Sequence, residues 1–180
     1  MLRVAKPLIA AYAVVGLLAC SSPTSPTGTS AVVNLTATPN PAVAQPSSGV
    51  FYILQGDATH PDQTLQYPFQ ASFNLNIAET GGEAVNITSI SMKVQQASGG
   101  IITPPTNGQV EHYQFISSAS SNTLPAKGQV NVGFQVWYAL PNQGRECVAT
   151  VTVNFLDQKG TPNDTSDDVS FSQSLDVQVQ

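Results

Sequence analysis

Strict alternation of apolar and polar residues is the feature that most constrains the fold of this chain. In residues 69–77 polar side chains separate five apolar ones: Phe69, Ala71, Phe73, Leu75 and Ile77. Because successive side chains of a β-strand point to opposite faces, this pattern predicts a strand with one buried and one wet face. Beyond residue 20, no segment of helical length carries apolar residues at helical spacing. The chain is therefore expected to be all-β.

The same alternation recurs in later segments and, less regularly, between them. Regular strands are predicted at residues 69–77, 129–139, 149–155 and 169–180, and less regular ones at residues 32–37, 50–54, 85–96 and 110–116. Within residues 85–96 the apolar positions change parity, which predicts a bulge or bend near Ser89. Seven or eight antiparallel strands joined by short turns predict a single immunoglobulin-like β-sandwich over residues 32–180.

The N-terminus has the pattern of an export signal. Arg3 and Lys6 precede an apolar run at residues 8–19, and no acid accompanies them. The run is shorter than the roughly 20 residues that a membrane-spanning helix needs, which favours a removable signal peptide at residues 1–19.

The residues that follow this run, Leu17-Leu18-Ala19-Cys20, resemble the lipobox of bacterial lipoproteins. The resemblance implies cleavage before Cys20, a diacylglyceryl group on its thiol, and attachment to a membrane of the cell envelope. In Gram-negative families, Ser21 after the cysteine would favour the outer membrane. The alternative is an ordinary secretory signal, with Cys20 incidental.

Residues 20–31 are expected to form a lipidated cysteine and a tether. Beyond Cys20 the stretch is rich in Ser, Thr and Pro and has almost nothing apolar to bury, so it cannot offset the entropy cost of ordering. After loss of Arg3 and Lys6, four of the six basic side chains remain against eleven acidic ones. This balance argues against nucleic acid as a partner, because phosphate binding needs a basic surface.

Residues that could support catalysis are scarce. His60 and His112 lie in no zinc-binding pattern, and the chain has no nucleophile elbow, P-loop or dinucleotide fingerprint. A non-catalytic protein is therefore predicted. With Cys20 used for lipid, Cys147 has no partner for an intramolecular disulfide and is expected to be a small buried hydrophobe beside a strand.

Two features could bind a ligand. Residues 157–168 form a predicted turn with four carboxylates, Asp157, Asp164, Asp167 and Asp168, that could supply oxygens to calcium. Their spacing does not fit an EF-hand, and a solvated hairpin has the same composition. Alternation places Trp137 on the face opposite Val132 and Val136, where it could stack on a sugar or a partner, unless a loop such as residues 97–109 covers it.

Residues 73–91 resemble the strand, Gly-containing turn and strand of bacterial immunoglobulin-like repeats of the ASH and MSP type. Residues 124–128 before one strand, and Gly144 before residues 149–153, continue the resemblance. It implies a spacer, adhesion or partner-binding module rather than an activity. The predicted function is a membrane-anchored envelope or surface lipoprotein with a domain for protein–protein interaction or envelope scaffolding, without a cofactor. The alternative is a carbohydrate-binding or calcium-stabilised adhesion module.

Overall fold

The computed structural model describes residues 30–54, 63–98, 101–102, 110–141 and 144–180. These ranges form ten β-strands: β1 Val33–Thr38, β2 Gln45–Leu54, β3 Gln63–Glu79, β4 Val85–Ser98, β5 Ile101–Ile102, β6 Val110–Ser117, β7 Thr123–Leu124, β8 Gln129–Ala139, β9 Cys147–Asp157 and β10 Val169–Val179. Each of the eight predicted strands overlaps one of the eight longer strands, so the all-β prediction is confirmed. Within the described ranges there is no helix long and apolar enough to cross a membrane.

The strands form two antiparallel sheets that pack face to face. The first sheet has the order β1-β3-β8-β6, and β2 pairs with the part of β3 that β1 leaves free. The second sheet has the order β10-β9-β4, and the short strands β5 and β7 pair with opposite ends of β4. Immunoglobulin constant domains place their strands A-B-E-D and G-F-C in this order. The predicted immunoglobulin-like sandwich is therefore the observed fold.

The core lies between the sheets and is built from the alternating apolar residues. Phe73 of β3 and Phe134 of β8 stack with ring centroids 5.3 Å apart, and both are almost fully buried. From the second sheet, Val151, Val153 and Phe155 of β9 are 0–1% exposed. Burying a side chain of this size stabilises a fold by about 1.5–3 kcal/mol. Burial of the alternating apolar side chains therefore supplies most of the driving force for folding.

The predicted irregularity near Ser89 is confirmed. Ile87 pairs with Phe155 and Ser89 pairs with Asn154, so the register between β4 and β9 shifts by one residue at this point. The extra residue is Thr88. The bulge allows Ile87 on one side and Met92 on the other to be buried, although they differ in parity.

The connection between β1 and β2 joins the two sheets along one side. It contains cis peptide bonds before Pro39 and Pro41. Ala42 then pairs in parallel with Val179 of β10, and the N–H of Ala42 donates to the carbonyl of Gln178 at 2.7 Å. This segment therefore extends the second sheet before the chain returns to the first.

The sandwich has two ends, which are named here by the direction of the chain. The proximal end is the one at which residues 30–32 lead into β1, and it contains the last residues of β3 and β9 and the first of β4, β8 and β10. The distal end contains the last residues of β8 and β4 and the first of β6 and β9.

Candidate functional site

Glu79 is a buried carboxylate at the proximal end. Its side chain is part of a residue only 2% exposed, and it accepts hydrogen bonds from four backbone N–H groups. The donors are Gly81 at 2.6 Å, Lys127 at 2.8 Å, Gly82 at 2.9 Å and Val32 at 3.1 Å. Burial alone would raise the pKa of Glu79, but these donors outweigh it and lower the pKa to about 2.

The turn that follows Glu79 requires glycine at two positions. Gly82 has a φ of +96°, which side-chain-bearing residues rarely adopt. A Cβ on Gly81 would lie 2.7 Å from the carbonyl oxygen of Ser30 and 2.9 Å from the carboxylate of Glu79. The close approach of the chain at residues 30–32 to this turn therefore depends on the absence of a side chain at Gly81.

Asp157 is the second buried carboxylate of the proximal end and is 1% exposed. It accepts hydrogen bonds from the backbone N–H groups of Ala31 and Lys159, both at 3.0 Å. The Lys159 ammonium lies 2.7 Å away and also donates to the hydroxyl of Ser30 at 2.8 Å. Burial would raise the pKa of Asp157, but Lys159 and the two N–H donors lower it below its ordinary value.

Glu79 and Asp157 together hold the backbone of residues 30–32, and we call this pair the carboxylate clamp. Glu79 binds Val32 and Asp157 binds Ala31, each from a different sheet. Both acids lie on the core-facing side of their strands. Glu79 follows the buried Ile77 of β3 by two residues, and Asp157 follows the buried Phe155 of β9 by two residues. Sequence reasoning missed the role of Glu79, although this parity was the signal that could have revealed it.

The four acids predicted as calcium ligands are not brought together. Asp157 points into the clamp, whereas Asp164 accepts hydrogen bonds from the N–H and hydroxyl of Ser166 at 3.0 and 2.6 Å. Asp167 accepts from the hydroxyl of Thr161 at 2.9 Å. Among the residues that the structure describes, no three His, Cys, Asp or Glu side chains are placed to hold a metal ion. Hydrogen bonds within the chain therefore hold three of the four acids, whereas Oδ1 of Asp168 is buried without a hydrogen-bond partner among the described residues.

Trp137 lies on the outer face of the first sheet, as alternation predicts, but it is only 8% exposed. It sits between Gln70 of β3 and His112 of β6, and the rings of Trp137 and His112 are 5.7 Å apart. The indole ring therefore offers little open surface on which a sugar could stack.

The distal end contains a second group of titratable side chains, formed by the buried Tyr138 and Cys147 and the partly exposed Glu111. The hydroxyl of Tyr138 donates to the carbonyl of Arg145, and the Cys147 thiol lies within hydrogen-bond reach of Tyr138. Glu111 of β6 accepts a hydrogen bond from the backbone N–H of Val94 in β4, which links the two sheets. Cys147 is free and 1% exposed, as predicted.

Burial dominates the protonation of this distal group. It raises the pKa of Cys147 to about 12, despite the opposing hydrogen bond from Tyr138. Burial also raises the pKa of Tyr138. It raises the pKa of Glu111 as well, although the N–H of Val94 and the charge of Lys93 act to lower it. A thiol with so high a pKa stays protonated at neutral pH and is a poor nucleophile.

An apolar groove opens where β4 and β6 face each other at the edge of the sandwich. It has a volume of about 170 Å³ and its apolar lining comes from Ile87, Ile90, Phe115, Ala119 and Val132. Phe115 is 45% exposed, and its neighbour Ile116 is 52% exposed.

The remaining predicted site residue, Cys20, lies outside the described residues, as does His60. Comparison of the chain with protein-family models, with curated proteins and with solved structures gave no match.

Proposed function

We propose that this chain is a lipid-anchored protein of the bacterial cell envelope, held in a membrane through acyl groups on Cys20. Its sandwich then serves as a non-catalytic domain for protein–protein interaction or envelope scaffolding. The anchor is supported by the basic residues Arg3 and Lys6, the apolar run at residues 8–19, and the resemblance of residues 17–20 to a lipobox. Two or three acyl chains would hold the protein stably, since each buried methylene contributes about 0.8 kcal/mol.

The observation that carries the proposal is the carboxylate clamp. Glu79 and Asp157 fix the backbone of Ala31 and Val32 at the proximal end, so the chain that leads from Cys20 joins the domain at a rigid point. A tether of about ten residues at roughly 3 Å per residue would separate this point from the lipid headgroups by up to about 30 Å. The distal end and the long sides of the sandwich would then be presented to partners.

The described features of the domain support a role in binding rather than in catalysis. Phe115 and Ile116 are exposed at the end of the edge strand β6, and Phe115 lines the apolar groove. Exposed apolar side chains next to a sheet edge are typical of protein interfaces. The buried thiol of Cys147, with a pKa raised to about 12, is not available as a nucleophile.

The test is a pair of cysteine variants in a bacterial host. Cys20→Ala should abolish incorporation of labelled fatty acid and release the protein from the membrane fraction. Cys147→Ala is the matched control and should leave both labelling and membrane attachment unchanged, because Cys147 is buried in the sandwich. Labelling that survives Cys20→Ala would contradict the proposed anchor. In a Gram-negative host, Ser21 predicts recovery in the outer-membrane fraction.

A further inference from the structure

The outer edge of β3 is covered by two strands that leave a gap between them. β1 pairs with β3 as far as Asn74, and the pairing of β2 with β3 begins at Gln70. Residues 71–73 have no described strand partner on this side, and we call them the edge gap. Residues 39–41, which follow β1, read Pro-Asn-Pro. Because proline has no N–H to donate, this segment cannot continue the ladder along β3.

Within the edge gap, Ser72 directs its backbone N–H and C=O groups away from β8. At the proximal end of β3, the N–H of Glu79 donates to Gly128 on the β8 side, and the N–H of Thr80 donates to Val32 on the β1 side. The register of β3 with β8 is unbroken over ten pairs, so this alternation continues along the strand. Odd-numbered residues bond to β8, and even-numbered residues such as Ser72 face the outer edge.

No described segment of the chain fills the edge gap. Residues 40–44 cross to the second sheet, where the N–H of Ala42 donates to the carbonyl of Gln178. Their backbone is thus committed to β10. Ser72 is exposed, and Val43 beside it is 62% exposed. The gap is therefore open to a ligand from outside the chain.

A cavity of about 270 Å³ opens at the edge gap, and none of its lining residues is charged. Apolar surface comes from Pro39, Val43 and Ala71, and side-chain hydrogen-bonding groups come from Gln45, Gln70 and Ser72. The volume is slightly below the usual range for pockets that hold drug-sized ligands. The cavity therefore suits a short ligand group rather than a long strand.

The two edge groups of Ser72 select the chemistry of that ligand. Its N–H and C=O point in the same direction, so they match a residue whose own C=O and N–H both face them, as in an extended peptide. A single trans amide does not match, because its N–H and C=O point in opposite directions. Since no charged side chain lines the cavity, the ammonium and carboxylate of a free amino acid would lack counter-charges. A neutral residue within a peptide fits better.

We propose that the edge gap is a binding site for a partner peptide, one extended residue of which pairs with Ser72. The edge positions on either side are taken by Thr38 and Gln45, opposite Asn74 and Gln70. These positions are about 13 Å apart, at roughly 3.3 Å per residue of β3. The peptide therefore crosses the edge instead of adding a strand to the sheet. This site rests on the interaction role proposed above and does not depend on the lipid anchor.

NMR of the full chain, purified in detergent, tests the site. In the free protein the Ser72 N–H should exchange rapidly, whereas that of Asn76, opposite Thr36 of β1, should be protected. The probe is N-acetylalanine N-methylamide, a neutral single residue. It should shift the Ser72 amide resonance saturably and slow its exchange by about tenfold at roughly nine times the dissociation constant. N-acetylproline N-methylamide, which lacks the residue N–H, and free alanine, which is charged, are the matched controls and should do neither.

Two substitutions test whether the backbone of Ser72 recognises the probe. Ser72→Ala keeps both edge groups, so its affinity for the blocked alanine should be unchanged. Ser72→Pro removes the edge N–H without removing a hydrogen bond to β8. It should therefore abolish the ligand-induced shift of the Val43 amide resonance and leave the melting temperature unchanged.

Protection of the Ser72 N–H in the free protein, equal to that of Asn76, would overturn the proposal, because the chain would then fill its own gap. A Ser72 resonance that the blocked alanine does not shift, an equal response to the blocked proline, or binding that survives Ser72→Pro would also overturn it. Tighter binding of free alanine would replace the peptide by a free amino acid. None of these outcomes alters the lipid anchor, which Cys20→Ala tests separately.

Discussion

The two ends of the sandwich shift the pKa values of their titratable side chains in opposite directions. At the proximal end, Glu79 and Asp157 are surrounded by N–H donors that outweigh burial and lower the pKa of each carboxyl. At the distal end, burial outweighs the available donors and raises the pKa of Glu111 and Cys147. Burial raises the pKa at both ends, so the hydrogen-bond donors decide the direction of the net shift.

This difference matches the tasks that the two ends perform in the fold. A charged carboxylate can hold several backbone segments at once, as Glu79 does for Val32, Gly82 and Lys127. Tyr138 donates to the carbonyl of Arg145 and contacts the Cys147 thiol, and its ring fills the core. The proximal end is therefore expected to depend on ionisation of Glu79 and Asp157, and the distal end on Tyr138 and Cys147 remaining protonated.

Glu79→Gln should cause the largest loss of stability. The amide cannot satisfy four N–H donors and adds donors of its own, so we expect the free energy of unfolding to fall by about 3 kcal/mol or more. Urea denaturation of the full chain measures this. Glu146→Gln, an exposed acid at the distal end, is the matched control and should change stability by less than about 0.5 kcal/mol. Equal losses in both variants would contradict the clamp.

Stability should also depend on pH in opposite directions at the two ends. The pKa of Glu79 is lowered from 4.5 to about 2, so its contribution is present above pH 4.5 and is lost as the pH falls towards 2. The pKa of Cys147 is raised from 9.0 to about 12, so stability is lost as the pH rises through this range. The raised pKa of Glu111 opposes the acid effect, because its charged form is disfavoured in the folded state.

Urea denaturation between pH 2 and pH 11 separates these contributions. Glu79→Gln should flatten the acid limb, Glu111→Gln should steepen it, and Cys147→Ala should flatten the alkaline limb. An acid limb that Glu79→Gln leaves unchanged would mean that other carboxyls dominate acid unfolding.

Tyr138→Phe should have a smaller effect at the distal end. It removes one hydroxyl that donates to the carbonyl of Arg145, which predicts a loss of about 1 kcal/mol. Tyr113→Phe, in a half-buried tyrosine of β6, is the control and should be nearly neutral. A loss at Tyr138 as large as that of Glu79→Gln, measured by urea denaturation, would remove the contrast between the two ends.

Calcium should have the smallest effect. Asp157 is held in the clamp, and Asp164 and Asp167 accept hydrogen bonds from Ser166 and Thr161. Millimolar calcium is therefore expected to leave the melting temperature unchanged, as measured by circular dichroism with magnesium as the control. A rise of several degrees with calcium alone would support the calcium-stabilised alternative.

The strands could be predicted because their burial follows a two-residue period. The period predicted the eight longer strands and the bulge near Ser89, but it could not predict β5 and β7, which are two residues each. It also could not assign strands to sheets, since pairing of β3 with β8 depends on contacts about 60 residues apart in sequence. The start of β2 at Gln45 was missed because Pro46 and Gly49 are atypical of strands.

The clamp was harder to predict because its residues belong to three distant segments. Asp157 was recognised as an acid of interest, but its grouping with Asp164, Asp167 and Asp168 followed sequence proximity. Its inward parity in β9 decides its role instead. The partners of Glu79 at Val32 and Lys127 are 47 and 48 residues away, a separation that no local pattern encodes.

Amide hydrogen exchange measures the clamp most directly. The N–H of Gly82 bonds to Glu79 at the proximal end, and that of Val94 bonds to Glu111 at the distal end. In Glu79→Gln the protection of Gly82 relative to Val94, followed by NMR at neutral pH, should fall at least tenfold, or about 1.4 kcal/mol. In Glu146→Gln the ratio should not change. A ratio unchanged in Glu79→Gln would show that Glu79 does not hold the proximal end.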